Sequence, residues 1–325
     1  MNNCTKLWST FFFEKTDSRP LAIFRIIFGI YSFFYFIQLF CLLKLYFSRS
    51  GFGSYLHFPG PGLNRYLLTV LTNQPTMYFY VVYGATLLVA CCFAAGFATR
   101  IAATLLWTLT FLWLGPMNLG TNSADNIVKI LTFLFMIASV FGHTHQSYSL
   151  DRYVFKKKAQ ARSSDVIPMW STRLFQIQLV LIYFFSGFHK LSSPDWYQAG
   201  ALHYVFYQVS WSRIDLSWLT QYPFLTGIIT YATLLYELIL FPVLIWPKTT
   251  RLCILALGVA LHVGIAILMK VFVFGEIMPL FYLCFMTMEH YKWLQQKRPY
   301  TNISATSRKV AMQGDRVTTM THRVS

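Results

Sequence analysis

Eight apolar runs, each about as long as a bilayer-crossing helix, constrain the fold of this chain more than any other feature. A helix needs about 20 mainly apolar residues to cross the hydrocarbon core, and inside that core every backbone amide must find its partner within the protein. The runs lie near residues 21–43, 76–97, 101–119, 126–142, 172–190, 222–246, 251–269 and 271–289. The last two are almost continuous and can be divided differently. The pattern predicts an all-α, polytopic transmembrane bundle of about eight spans.

Basic residues are distributed unevenly among the segments that connect these spans. If the N-terminus is cytoplasmic, nineteen of the 27 lysines and arginines fall on the cytoplasmic side and six on the other. The positive-inside rule expects this asymmetry, and it places both termini and the 143–171 loop in the cytoplasm. The net charge of +16 is then explained by contact with anionic lipid, so no nucleic-acid partner is expected.

The same pattern predicts how the chain is organised. Residues 1–20 form a cytoplasmic N-terminus, residues 21–290 form the membrane domain, and residues 291–325 form a basic, disordered cytoplasmic tail. With 56% hydrophobic and 12% charged residues, the chain contains no sizeable soluble domain. Only Cys41 approaches the outer side, so no structural disulfide is expected. The predicted location is integral and multi-pass, in a plasma, inner or organelle membrane.

Four ionisable residues fall inside the predicted spans, where charge is costly and marks either a polar site or a structural ion pair. Arg25 and Lys129 lie about one turn from span ends, which favours snorkelling or structural pairing. Glu237 lies deeper, so a functional role and a pairing role in the core are both open. His262 is either a hydrogen-bonded packing residue or part of a site.

Further polar residues collect where the spans reach the outer side. They are Asn122, Asp125 and Asn126 before the fourth span, His189 and Lys190 at the end of the fifth, and Glu276 where the seventh and eighth meet. Because these loops emerge on one face, they can build one site, and ordinary solvated loops are the alternative. His143 and His145 lack a third ligand nearby, so no metal is expected.

Several segments resemble a known family in their residues and in their order along the chain. They are "DSRPLAIFRIIFG" (17–29), "SLD" (149–151), "QIQLVLIYFFSGFHKLSSPDWYQAG" (176–200) and "LHVGIAILMKVFVFGEIMPLFYLCF" (261–285). Together they resemble the HTTM family, the membrane domain shared with vitamin K-dependent gamma-carboxylase. The most specific positions are Lys190, Leu191, Asp195, Trp196 and Gly200.

The resemblance implies a catalytic role for the lysine of the Lys-Leu motif. In the carboxylase this lysine deprotonates vitamin K hydroquinone, so Lys190 is expected to deprotonate a vitamin K-type hydroquinone or menaquinol on the outer side. Desolvation at a span end favours the neutral amine that a base requires. The other catalytic candidates are His189, Asp125 and His262. The candidates for substrate binding are Asn122, Asn126, Asp195, Trp196, Glu237 and Glu276, and for Trp196 interfacial anchoring is the alternative.

The chain departs from the carboxylase pattern, so the identity of the substrate does not carry over. His189 stands where the animal enzyme has a second lysine, the loop before the fourth span offers asparagines and Asp125 where the enzyme has a histidine, and only a short tail follows residue 289. Two functions remain open. One is a quinol-dependent enzyme of the oxygenase or carboxylase type, and the other is a non-enzymatic membrane factor that matures or exports a small secreted peptide. A transporter is the weaker reading, because matching halves with broken helices are not evident.

Overall fold

The computed structural model describes residues 3–47, 62–117, 122–142, 147–154, 165–208, 210–271 and 274–291. The chain divides into two compact units, Met1–Phe285 and Met286–Ser325. Nearly all of the tail predicted to be disordered, and the histidines at 143 and 145, lie outside the described residues.

Helices account for most of the described chain. They are α1 (Asn3–Phe13), α2 (Arg19–Phe47), α3 (Leu63–Thr72), α4 (Thr76–Ala95), α5 (Thr99–Leu114), α6 (Ser123–Phe141), α7 (Leu150–Val154), α8 (Trp170–Leu191), α9 (Pro194–Tyr197), α10 (Ala201–Tyr207), α11 (Pro223–Leu235), α12 (Phe241–Leu244), α13 (Lys248–Leu268) and α14 (Phe274–Phe281). A π-helical turn, Tyr236–Leu240, joins α11 to α12 and is called the π segment below. Short 3₁₀ helices span Ser217–Gln221 and Tyr282–Phe285. Strands β1 (Lys15–Asp17) and β2 (Val166–Pro168) pair antiparallel, with Thr16 opposite Ile167.

Six helical stretches in the described residues are long and apolar enough to cross a membrane. They are α2, α4, α6, α8, α13 and the continuous run Pro223–Leu244. Shorter apolar helices occupy Thr99–Leu114 and Phe274–Phe285, where the third and eighth spans are predicted. The 16 residues of α5 measure only about 24 Å, against about 30 Å of hydrocarbon. The all-α, polytopic membrane fold is confirmed, whereas the count of eight spans and the side of each terminus stay predictions.

A cluster of phenylalanine rings holds the helices together. The Phe135 ring on α6 lies 4.9 Å from Phe24 and 5.2 Å from Phe28, both on α2. It also lies 5.4 Å from Phe93 on α4 and 4.7 Å from Phe175 on α8, measured between ring centroids. All five side chains are buried. Because such ring pairs add about 0.5–1.5 kcal/mol each beyond their buried area, this cluster fixes α2, α4, α6 and α8 around one centre.

Two charged residues join helix ends on the side of the bundle opposite to Lys190. They are Arg25 and Asp151, and each comes from a segment that resembles the family. Asp151 accepts hydrogen bonds from the backbone N–H groups of Ala98 and Thr99 at 2.7 and 2.9 Å, and so caps α5. Arg25 is only 2% exposed. It donates to the Tyr148 carbonyl at 2.7 Å and to Thr99 Oγ1 at 3.3 Å. Arg25 is therefore a buried structural residue and does not reach the surface.

A proline explains why the Pro223–Leu244 run contains a π turn. Pro242 has no N–H and cannot donate to the Leu238 carbonyl, as a regular α-helix requires. The backbone widens instead, and the Phe241 N–H donates to the Tyr236 carbonyl, five residues earlier. Such turns insert one extra residue, change the direction of the neighbouring side chains and are frequent at functional sites. Glu237, within this turn, is buried.

Candidate functional site

The π segment packs unusually closely against α8 at Gly187. A Cβ atom built on Gly187 would lie 2.8 Å from Leu238 Cγ and 3.1 Å from Glu237 Cβ. Both distances are shorter than the usual carbon contact of about 3.5–4.0 Å. The missing side chain at Gly187 therefore lets the backbone that carries Glu237 approach the last turn of α8.

Lys190, in that last turn, is surrounded by partners. Its Nζ atom donates to both carboxylate oxygens of Glu237 at 2.5 Å and to Ser186 Oγ at 3.1 Å. The same atom lies 5.2 Å from the centroid of the Trp196 ring, close enough for a cation–π contact. The Lys190 side chain is 25% exposed and that of Glu237 is 8% exposed. A nearly buried carboxylate thus holds a partly accessible amine at the end of a membrane helix.

A second polar group lies deeper in the bundle among buried tyrosines. The Tyr183 hydroxyl hydrogen-bonds to His262 Nε2 at 2.7 Å and also to the Tyr282 hydroxyl. Tyr183 precedes Lys190 by seven residues, which is about 10.5 Å along a helix axis and on the same face. Within the described residues, Nδ1 of His262 has no hydrogen-bond partner. His262 therefore belongs to this tyrosine cluster, and its hydrogen bond goes to Tyr183 and not to Lys190.

Asp125 and Asn122 form a capping box at the start of α6. Asn122 Oδ1 accepts from the Ala124 N–H at 2.7 Å, and Asp125 Oδ2 accepts from the Asn122 N–H at 2.6 Å. The other carboxylate oxygen of Asp125 accepts the Tyr35 hydroxyl at 2.5 Å. These bonds tie α6 to itself and to α2, so Asp125 and Asn122 share no hydrogen-bond partner with Lys190.

The remaining predicted site residues lie at exposed positions. They are His189, Asn126, Asp195 and Glu276. Although Asp195 follows Lys190 closely in sequence, the carboxylate that pairs with Lys190 is Glu237. In the part of the chain that the structure describes, no group of three His, Cys, Asp or Glu side chains is placed to bind a metal.

Comparison with known families places this arrangement in context. The HTTM domain matches residues 13–292, which takes in every described element from β1 to the helical turn after α14. The chain belongs to the HTTM family. This membrane domain family is related to vitamin K-dependent carboxylase. No curated protein and no solved structure matches the chain. The predicted family is confirmed, and together with the apolar helices it establishes this HTTM protein as an integral, multi-pass membrane protein.

Several residues of the HTTM site were not predicted from the sequence. Ser186 and Tyr183 precede Lys190 by four and seven residues, and this spacing, which places all three on one helix face, is the signal that could have found them. Tyr282 gives no such signal, because tyrosine is an ordinary residue in apolar helices. The sequence marks Glu237 as an unusually deep ionisable residue, but it does not indicate Lys190 as its partner.

The geometry at Lys190 suits proton transfer. An amine and a carboxylate together have two basic positions, and when they share one proton the second position is open. The Glu237 side chain is nearly buried and that of Lys190 is partly buried. Isolated charges are costly in such surroundings, and the hydrogen bonds between the two groups lower that cost. Lys190 and Glu237 therefore form a hydrogen-bonded amine–carboxylate pair beside the Trp196 ring at the end of α8.

Proposed function

We propose that this HTTM protein is a membrane enzyme in which Lys190, paired with Glu237, accepts a proton from a lipid-soluble quinol. The observation that carries the proposal is the two-oxygen contact between Glu237 and Lys190 Nζ at the end of a membrane helix. Ionisable groups are expensive in a membrane and mark functional sites. The relation of the HTTM family to vitamin K-dependent carboxylase supports the same class of reaction.

The residues around Lys190 fit a vitamin K-type hydroquinone or menaquinol. Trp196 offers an aromatic face beside the amine. Three aromatic residues on the same helix, Phe184, Phe185 and Phe188, are 40%, 59% and 57% exposed, so the last turns of α8 present apolar surface to the bilayer. When bound, the quinol would supply an acidic hydroxyl and reducing electrons.

Lys190 and Glu237 would divide the protons between them. As the hydroxyl O–H bond of the ligand breaks, its proton passes to Lys190 Nζ, and the proton already shared by the pair moves onto the Glu237 carboxylate. The pair then carries one more proton than before, and its positive charge balances the negative charge left on the ligand. Ser186 and Trp196 keep Nζ oriented during the transfer.

A second function, the maturation or export of a small secreted peptide without catalysis, also draws on one observation. The hydrogen bonds of Lys190 Nζ reach Ser186 of α8 and Glu237 of the π segment, as they would if the ion pair only held α8 against the π segment. A clamp requires a positive charge and not a removable proton, so arginine should replace lysine well in that case.

The Lys190→Arg substitution separates these two functions because arginine keeps the charge but does not release its proton. Quinol consumption is measured in membranes that contain the wild type, Lys190→Arg or a matched control, Lys44→Arg. Lys44 is an exposed lysine in the last turn of α2. We expect Lys190→Arg to lose at least about 100-fold in turnover with normal membrane insertion, and Lys44→Arg to match the wild type. Wild-type turnover in Lys190→Arg would remove Lys190 as the proton acceptor, and a wild type that consumes no quinol would leave the peptide-maturation function standing.

A further inference from the structure

Two half-buried arginines, Arg173 of α8 and Arg251 of α13, border the same tryptophan. Arg173 Cζ lies 5.5 Å from the centroid of the Trp246 ring, and Arg251 Nη2 donates to the Trp246 carbonyl at 2.8 Å. Neither arginine takes part in an ion pair among the described residues. Two positive charges are therefore held near one another and partly withdrawn from water. The Glu14 carboxylate attracts Arg173 but lies beyond ion-pair distance.

Neutral groups satisfy only part of each guanidinium. Arg173 donates from Nε to the Phe11 carbonyl at 3.3 Å and from Nη1 to Gln176 Oε1 at 2.8 Å. Arg251 donates from Nε to the Ile245 carbonyl at 3.2 Å. Among the described residues, these hydrogen bonds use Nε and Nη1 of Arg173 and Nε and Nη2 of Arg251. Each arginine thus retains N–H donors for an anion from outside the chain.

The position of the two arginines makes such an anion favourable. Both lie in the first turn of a helix, because α8 begins at Trp170 and α13 at Lys248. The N-terminal end of a helix carries partial positive charge, so a cation there is unfavourable and an anion is stabilised. An anion between Arg173 and Arg251 would relieve their mutual repulsion and this unfavourable interaction together.

The surroundings indicate that the anion belongs to a lipid. Helix α1 exposes Leu7, Trp8 and Phe13 at 71%, 64% and 61%, and its Phe11 ring lies 4.1 Å from Arg173 Cζ. Exposed Leu and Trp side chains on a helix that precedes a span are typical of a helix lying in the membrane interface. The positive-inside pattern predicts that this side faces the cytoplasm, where anionic lipids attract basic residues.

We propose that Arg173 and Arg251 together bind the phosphate of an anionic phospholipid. Guanidinium groups match phosphate oxygens in pairs and bind them more strongly than neutral acceptors do. Leu252 is exposed beside Arg251 on α13, and it provides apolar surface for an acyl chain once the headgroup is bound. The site is independent of the chemistry at Lys190.

The test is native mass spectrometry of the purified full chain in detergent, with phosphatidylglycerol or phosphatidylcholine added. We expect the wild type to retain phosphatidylglycerol in preference to phosphatidylcholine. Arg173→Gln/Arg251→Gln should bind phosphatidylglycerol about 25-fold more weakly, because each arginine contributes about fivefold. The matched control is Arg100→Gln, since Arg100 is an exposed arginine in the first turn of α5, and it should bind as the wild type does.

Three results would overturn the proposal. One is equal binding of the two lipids by the wild type, and another is undiminished phosphatidylglycerol binding by the double glutamine variant. The third is displacement of the lipid by millimolar inorganic phosphate, which would make this a site for a soluble anion. If the glutamine variant does not fold, Arg173→Lys/Arg251→Lys keeps both charges but loses the paired guanidinium geometry. It should then bind phosphatidylglycerol more weakly than the wild type, and equal binding would contradict the assignment.

Discussion

Replacing Gly187 with alanine tests whether close packing of α8 against the π segment sets the geometry of the proton-accepting pair. The new Cβ would lie 2.8 Å from Leu238 Cγ and 3.1 Å from Glu237 Cβ. Since carbon contacts are normally about 3.5–4.0 Å, the two backbones must separate by about 0.5 Å, or Leu238 must change its rotamer. Overpacking of this kind costs about 1–3 kcal/mol, and alanine recovers about 1 kcal/mol of helix propensity over glycine.

The expected net loss of unfolding free energy for Gly187→Ala is therefore about 0–2 kcal/mol. A displacement of this size also lengthens the hydrogen bonds between Lys190 and Glu237, and a shift approaching 1 Å costs on the order of 100-fold in rate. Quinol turnover should therefore fall about tenfold or more while the protein remains folded. Thermal unfolding in detergent and quinol consumption in membranes measure the two effects separately.

The matched control for Gly187→Ala is Gly264→Ala in α13. A Cβ atom at Gly264 meets nothing within 4 Å, so this variant gains helix propensity without overpacking and should keep wild-type turnover. Gly187→Ala with the stability and turnover of the Gly264 variant would refute the argument that this close contact positions the pair.

Three further substitutions have distinct expected outcomes. Glu237→Gln keeps the shape of the side chain but leaves Lys190 without its carboxylate. Thermal unfolding should show a loss of about 1–3 kcal/mol, and quinol turnover should fall at least about 100-fold. Unchanged turnover would remove Glu237 from the mechanism. Tyr183→Phe deletes the hydroxyl that bonds to His262. It should lower the free energy of unfolding by about 1–3 kcal/mol and reduce turnover less than tenfold. A larger loss of turnover without a loss of stability would assign the tyrosine cluster to the chemistry. Asp151→Ala removes the cap of α5 and should cost about 0.5–2 kcal/mol, and a variant as stable as the wild type would show that the cap contributes nothing.

The membrane architecture follows from sequence to a large extent because the hydrocarbon core leaves few choices. A run such as 172–190 must be helical and must be about 20 residues long, and the structure places α8 at Trp170–Leu191. The run 101–119 is less well predicted. It is apolar enough, but α5 ends at Leu114, and Gly115 and Pro116 follow it.

The site was less predictable, because its main contact depends on two local backbone features. Glu237 reaches Lys190 through a π turn that Pro242 causes and through the close approach that Gly187 allows. Neither feature changes the hydropathy of its segment, so no apolar pattern reveals the pairing. Asp125 shows the opposite case. Its spacing of three residues from Asn122 is typical of a capping box and can be read from the sequence, and the structure uses it in that way.

Chemical rescue of Lys190→Ala is the most direct measurement of the central claim that Lys190 accepts a proton. Removing the side chain leaves space beside Glu237 and Trp196, and a small primary amine from solution can supply a base in its place. We expect added amines to restore quinol consumption by this variant saturably, and more basic amines to restore it better at equal free-base concentration. Lys190→Arg should not be restored, because its side chain still fills the site. The contrary result is a Lys190→Ala variant that is inserted and folded, consumes quinol at the wild-type rate without any amine and does not respond when amines are added.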